Sequence, residues 1–458
     1  MALHLDLTGL FSSRAPRGVS RSVFDATLAR ARAVREAHLA GLPAWAALPG
    51  RSDLRGACRV RAEEVRARHP QADTLVVCGI GGSALGTSAA LAALAPAYQE
   101  WGRREGLRVF VLDSIDPDWV TAFLAEVDPL RCHFNVISKS GGTLETASQF
   151  LLFYAEVRAR LGSDEEARAH FTLTTDPEQG HLRKLGGELG FSMLEVPPGV
   201  GGRFSVLCPV GLFPLEMAGV DTGALLAGAA RTAEKLQESG PAGDAALAYA
   251  LAHVLHMEKG RRVHVHFPYS WRMRLLGDWY RQLWAESLGK RRSTSGKEVW
   301  QGATPVKALG PTDQHSQVQL YRGGPDDKVY TFVKLERFDH ECPLPEPFTD
   351  SPAFEPLRGR SLNELLEAER QGTEAALLEV GRPVCTLELC KLDPFHVGQY
   401  FFFLETATAY TGGLLGIDPF DQPGVEGGKH AALALMGASG CEDLAGRIRA
   451  ARADREPF

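Results

Sequence analysis

The sequence predicts an α/β protein of two successive parallel-sheet units, each covered by helices on both faces. Three observations point there. Short apolar segments alternate with helical ones between residues 74 and 196, and alternation at that spacing builds strand–helix–strand units in a parallel sheet. A second set of the same kind begins near Val263. Gly/Ser-rich turns follow two of the first strands, at the carboxyl edge where open α/β sheets take their ligands.

The elements follow in order. Residues 23–39 are rich in Ala and Arg with helical periodicity, giving an N-terminal helix on the body. Strands are expected at 74–78, 108–112, 133–137, 171–174 and 193–196, with helices at 83–94, 117–127, 143–161 and 178–189. After a glycine-rich break at 199–203, helices dominate to about Lys259. The second set has strands at 263–267, 329–335 and 384–389 and helices at 271–288, 361–378 and 394–410. Two short helices follow Gly424. This gives a helical extension (1–50), a first α/β domain (51–240), a second (241–415) and a helical tail (416–458).

A chain of 458 residues has room for two or three domains at about 150 residues each. The formal net charge of -6 excludes a nucleic-acid footprint, and Lys290-Arg291-Arg292 is too short a basic run to change that. Anionic substrates must therefore be held by local charges. None of the eight Cys forms C-x-x-C or a zinc-ligand spacing. Several lie in apolar strands as small hydrophobes, and a reducing, cytoplasmic setting is expected. Asp6 and the lack of a long apolar run predict no signal peptide, and no segment reaches the length of a membrane span.

The most informative stretch is Val136–Thr146, a buried strand, then Ser138-Lys139-Ser140-Gly141-Gly142-Thr143, then a helix start. Helix-start N–H groups carry positive partial charge, and glycines let an anion approach them. The hydroxyls of Ser138, Ser140 and Thr143 add donors and Lys139 adds a charge, which suits a phosphate dianion. Gly79-Ile80-Gly81-Gly82-Ser83-Ala84 follows another strand. It reads as a dinucleotide fingerprint with Asp113 as ribose reader, as part of a sugar-phosphate site at Gly82 and Ser83, or as a plain turn. Two such loops on one sheet can converge on one ligand, which favours the sugar phosphate.

Arg203, beside Gly201-Gly202, can point a guanidinium at developing negative charge; a mobile surface Arg is the plainer reading. Glu286 lies in the last turn of a helix closed by Gly289, where the dipole and partial burial raise a carboxyl's pKa toward that of a general base. A solvated Glu286 paired with Lys290 is the alternative. His315 sits among polar residues after a Gly-Pro turn as a proton carrier or a structural His. Lys429 stands at a helix start, where a cation is disfavoured without an anionic partner.

The stretches GIGGSALG, SKSGGTLET, GGRFSVLCPVG, QLWAESLGK, TDQHSQ and QPGVEGGK, in this order from Gly79 to Lys429, together resemble the phosphoglucose isomerase (glucose-6-phosphate isomerase) family. GGRFS and the Glu-Ser-x-Gly-Lys helix end are specific to it; the Gly/Ser loops are shared among sugar isomerase (SIS) domains. The resemblance implies two SIS-type doubly wound domains, a homodimer and interconversion of D-glucose 6-phosphate and D-fructose 6-phosphate through a cis-enediol(ate), in glycolysis and gluconeogenesis, without metal or cofactor. Carried over by motif, Gly82, Ser83, Ser138, Lys139, Ser140 and Thr143 would hold the phosphate. Glu286 would be the base between C2 and C1, and Arg203 would stabilise the intermediate. His315, from the partner subunit, and Lys429 would assist ring opening, with Glu145 orienting His315. Gln282 and Gln422 would line the sugar site.

The chain departs from the commonest family pattern at Ala285 and Leu288, where many members have Met and Asn, and at Gly141-Gly142, where many have Phe-Thr; the His segment lacks the Gly that often precedes its Gln. These leave open a dual activity on mannose 6-phosphate. A non-catalytic sugar-phosphate-binding SIS regulator would need the phosphate loops but not Glu286, His315 and Lys429. A nicotinamide dehydrogenase would rest on Gly79–Ala84 with Asp113.

Overall fold

The computed structural model describes residues 3–96, 106–348 and 351–453. A short strand β1 (His4–Asp6) precedes helices α1 (Arg21–Ala40) and α2 (Ser52–Arg68). Ser20 caps α1 by accepting from the Val23 N–H, and the buried Arg35 ties this helix to Asp244 at 2.9 Å.

The first sheet alternates β2 (Thr74–Cys78), α3 (Leu85–Leu94), β3 (Arg108–Leu112), α4 (Pro117–Glu126), β4 (Cys132–Ile137), α5 (Leu144–Leu161), α6 (Asp164–Ala169), β5 (Phe171–Thr175), α7 (His181–Leu189) and β6 (Ser192–Glu195). Its order is β3-β2-β4-β5-β6, all parallel. Every residue of β2, β4 and β5 is buried, as strands covered on both faces must be. Phe134 stacks on Phe153 and Phe171 with centroids 5.0 and 4.9 Å apart. In this order the strand sequence reverses direction between β2 and β4, which opens a crevice at their carboxyl ends.

Helices α8 (Pro209–Met217), α9 (Thr222–Glu238) and α10 (Ala245–Glu258) bridge to the second sheet. That region holds β7 (Val263–Pro268), α11 (Leu276–Leu288), the hairpin of β8 (Lys290–Arg292) and β9 (Glu298–Gln301), β10 (Thr304–Lys307), α12 (Val318–Gly323), β11 (Lys328–Leu335), α13 (Leu362–Glu379), β12 (Val384–Leu389) and α14 (Pro394–Leu415). The sheet runs β1-β12-β11-β7-β10, parallel except for β1. Its four parallel strands repeat the order of the first sheet, with the reversal between β7 and β11. A hydrogen-bonded network of neutral rings lies behind β7: Tyr280 to His264 (2.7 Å), His264 to Thr331 (2.9 Å) and His266 to Tyr400 (2.6 Å). The tail consists of α15 (Glu426–Leu435) and α16 (Glu442–Ala453).

The fold departs from expectation at its edges. Strand β1 joins the second sheet, so residues 1–50 are not wholly helical. β10 and the β8–β9 hairpin are three or four residues long, and β10 contains Pro305, which edge strands tolerate and patterns do not announce. The helix expected from Trp271 opens as a 3-10 turn at Trp271–Met273 and becomes α-helical at Leu276. Among the described residues, no helix is long and apolar enough to cross a membrane, and no cluster of His, Cys, Asp or Glu could hold a metal ion.

Candidate active site

The loop from β4 into α5 forms a cradle. The Ser138 hydroxyl accepts from the Gly141 N–H at 3.0 Å and lies 3.1 Å from that of Thr143; the Ser140 hydroxyl accepts from the Gly142 N–H at 3.3 Å. Gly141 has φ 69°, and a Cβ there would come within 2.2 Å of the Leu182 nitrogen, so this turn requires glycine. Thr143 holds the N-cap position of α5, yet no side chain caps the helix. Its first-turn N–H groups therefore remain for a ligand. The Lys139 ammonium donates to the Val200 carbonyl at 3.0 Å, tying the cradle to the loop that leads to Arg203.

The loop after β2 meets that same Arg203 loop backbone to backbone. A Cβ on Gly82 would lie 2.3 Å from the Gly202 carbonyl carbon, and the Ser205 hydroxyl donates to the Gly82 carbonyl at 3.3 Å. Ser83 ends the 3-10 turn Gly81–Ser83. Gln282 of α11 reaches this point, its Nε2 3.3 Å from the place of a Cβ on Gly81. Both Gly/Ser loops thus stand over the β2–β4 reversal point, and α11 from the second half closes on them.

Arg203 is fully buried and uses its whole fork. Nε donates to Ser287 Oγ (2.7 Å), one terminal nitrogen to Gln422 Oε1 (2.6 Å), and the other to the carbonyls of Pro419 (2.6 Å) and Asp421 (3.1 Å). The Glu286 carboxylate lies 3.2 Å from the guanidinium and accepts from Gln282 Nε2 at 3.0 Å. Burial pulls the Arg203 pKa below its usual value against the opposing pull of Glu286, Asp421 and Asp418, and a guanidinium stays charged through such a shift. Glu286 is half-buried, as expected at this helix end, and its carboxylate has a cation as its neighbour. Lys290 does not pair with that carboxylate: its ammonium donates to the Glu286 main-chain carbonyl at 2.9 Å.

The chain brings together Arg203, Glu286, Gln282, Gln422 and, across the loop contact, Gly82. Three further residues stand apart. His315 follows the turn Thr312–Gln314 and is exposed. Its neighbour Gln314 is anchored by Glu369 (2.6 Å) and Tyr269 (3.2 Å). Glu145, in the first turn of α5, is half-buried, and no described hydrogen bond joins it to His315. Lys429 lies on the exposed first turns of α15 and pairs with Glu426 at 2.8 Å. Ser287, Lys290 and Asp421 were not singled out from sequence as site residues, although the Glu-Ser-x-Gly-Lys spacing held the first two. Leu288 is wholly buried in the core while Ala285 is exposed, so the departure at Leu288 alters packing under the helix.

The chain is similar to several known proteins. The family model described as Phosphoglucose isomerase matches residues 59–442. A glucose-6-phosphate isomerase of Carboxydothermus hydrogenoformans is 44% identical over 389 residues, covering 83% of this chain and 82% of its own. One from Thermus thermophilus is 41% identical over 368 residues, 80% and 84% of the two chains. Among solved structures, a hypothetical protein of Thermus thermophilus superposes with TM-score 0.85 at 36% identity, over 95% of this chain and all of that one. A glucose-6-phosphate isomerase of Chlamydia trachomatis gives TM-score 0.75 at 26% identity, over 87% and 76%.

Proposed function

The chain belongs to the phosphoglucose isomerase family, and on that premise we propose that it interconverts D-glucose 6-phosphate and D-fructose 6-phosphate, as in glycolysis and gluconeogenesis. The observation that supports this most is the contact of Glu286 with Arg203 at 3.2 Å. A carboxylate base and a fixed cation side by side are what proton transfer next to a carbonyl needs. Ser138, Lys139, Ser140 and Thr143 hold the phosphate with Ser83 and the backbone at Gly82, and this remote grip positions the sugar. Ring opening moves a proton from O1 to O5, served by His315 and Lys429. Glu286 then takes the proton from C2 of the aldose and returns it to C1. Arg203 faces the oxygen on which negative charge develops, and Gln282 and Gln422 flank the sugar.

Glu145 orients His315 across the interface of a homodimer, a reading supported by the exposure of His315 in the single chain. A cytoplasmic location fits the eight unpaired cysteines. No nucleic-acid or membrane partner is proposed, and no cofactor is needed for a proton transfer of this kind.

A coupled assay on purified protein tests the activity: glucose 6-phosphate must form from fructose 6-phosphate. Glucose 6-phosphate deuterated at C2 must lose label to water, and Glu286→Gln must abolish that loss. Label loss at the rate of the unaltered enzyme in this variant removes Glu286 from the role of base.

A further inference from the structure

Lys290 is a lysine one would expect in solvent, yet it is buried. It is the first residue beyond Gly289, which closes α11. Its ammonium donates to the Glu286 carbonyl at 2.9 Å and to the Asp421 carbonyl at 2.6 Å, and it lies 3.2 Å from the Asp421 carboxylate. The first bond caps an orphan carbonyl of the last helical turn, where a cation is favoured. The second reaches 131 residues along the chain, to the turn that presents Gln422 and leads into the tail helix of Lys429. Arg203 grips this same turn at Pro419 and Asp421. Two cations from different elements thus meet at the Asp421 carbonyl, where Lys290 also braces the main chain of Glu286 and Arg203 faces its carboxylate.

We propose that Lys290 is a positioning residue for the isomerisation, clamping the backbone of Glu286 to the 419–421 turn so that base, Arg203 and Gln422 move as one unit. This rests on the reading of Glu286 as the base. Lys290 touches neither the carboxylate nor the phosphate cradle, so its loss acts on turnover rather than on grip. An aliphatic side chain leaves the Glu286 carbonyl without its charged donor and the Asp421 carbonyl with Arg203 alone, and a misplacement of about 1 Å at a base can cost on the order of 10²-fold in rate. An arginine keeps the charge and several donors.

The test compares Lys290→Met, Lys290→Gln and Lys290→Arg with the unaltered enzyme in the fructose 6-phosphate assay, alongside melting temperature. The expected result is a kcat lowered about 10–100-fold in Lys290→Met, intermediate in Lys290→Gln and largely restored in Lys290→Arg, with KM within about threefold throughout because the cradle is untouched. If Lys290→Met does not fold, the Gln and Arg variants carry the comparison. A kcat equal to that of the unaltered enzyme in folded Lys290→Gln, or a loss that falls on KM, overturns the proposal. Failure of the unaltered enzyme to isomerise fructose 6-phosphate would instead strike the function itself, so the two failures are told apart.

Discussion

The two sheets share a strand order and differ in what they place at its reversal point. In the first, the strand that leads into α5 ends in Ser138–Thr143, and no side chain caps the helix behind it. In the second, the corresponding helix α13 begins with a complete capping box: Ser361 accepts from the Glu364 N–H at 3.2 Å, and the Glu364 carboxylate accepts from the Ser361 N–H at 2.9 Å. A carboxylate of the chain itself seals this helix end, whereas the end of α5 has no side-chain cap and is where we propose the phosphate is held. The cleft beside it, about 370 Å³ between Tyr269, Lys334, Arg337 and Glu364, is lined by mixed charges, and Lys334 is already 2.9 Å from Glu388. One topology thus presents an open helix end in the first half, the proposed holder, and a sealed one in the second, the proposed platform. The platform's contribution comes from a different element, α11, which carries Glu286 over to the holder.

If holding and reacting are divided in this way, substitutions in the two halves must move different constants. The largest effect is expected at the reacting half: Glu286→Gln should lower kcat about 10³-fold while KM stays within a few-fold, read by steady-state kinetics. A comparable fall in kcat from substitutions in the cradle would break the division.

Next comes acidity, which both halves must feel. His253 of α10 and His266 of β7 are pushed down to about 4 and about 3, and His69 beside the first sheet to about 4, each chiefly by burial. These imidazoles are neutral in the fold and take protons more readily when unfolded. Their stabilisation is therefore whole above the ordinary histidine value of about 6.5 and drains away as pH falls toward 4, by about 1.4 kcal/mol per pH unit for each site that protonates only on unfolding. Melting curves between pH 7 and 4.5 should fall steadily, and a flat profile would mean that the rings reach water.

Ser138→Ala takes one donor from the cradle. It should raise KM for fructose 6-phosphate about tenfold and weaken inhibition by inorganic phosphate in parallel, since a hydrogen bond to a charged group is worth about 1.5–3 kcal/mol. The smallest effect belongs to the sealed end. Ser361→Ala should cost about 1 kcal/mol of stability and leave both kinetic constants alone, by denaturant titration and assay. A change in KM there would show that the second cleft takes part in holding substrate.

Much of this division was legible in the sequence, for a physical reason. β2, β4, β5, β11 and β12 are buried on both faces or nearly so, and such strands appear as unbroken apolar runs between turn residues. β1 and β10 lie at sheet edges, half exposed, and leave no run to read. At the candidate site, the Ser138–Thr143 loop stood out because its hydroxyls and Lys139 lie close together in sequence, as did Glu286 and Arg203 within their glycine-marked segments. The bonds that hold the site together were not visible. Arg203 to Ser287 spans 84 residues and Lys290 to Asp421 spans 131, and no local pattern encodes a partner at that distance. Burial of Lys290 is likewise a tertiary fact, since an isolated lysine after a helix stop looks like any solvated one.

The short edge strand β1 bears on how the protein is made. Its pairing runs from His4 to Glu388, nearly the whole length of the chain. At about 5–20 residues per second, a ribosome delivers the partner strand roughly 20–80 s after the first. During that interval the opening segment waits unpaired while the first sheet, whose strands all lie before Val196, has time to form alone. The second sheet receives its outer border only once β12 has been made. A stall or premature stop before Val384 would therefore leave a folded first sheet attached to a second one with an open strand edge, the kind of surface on which nascent chains aggregate.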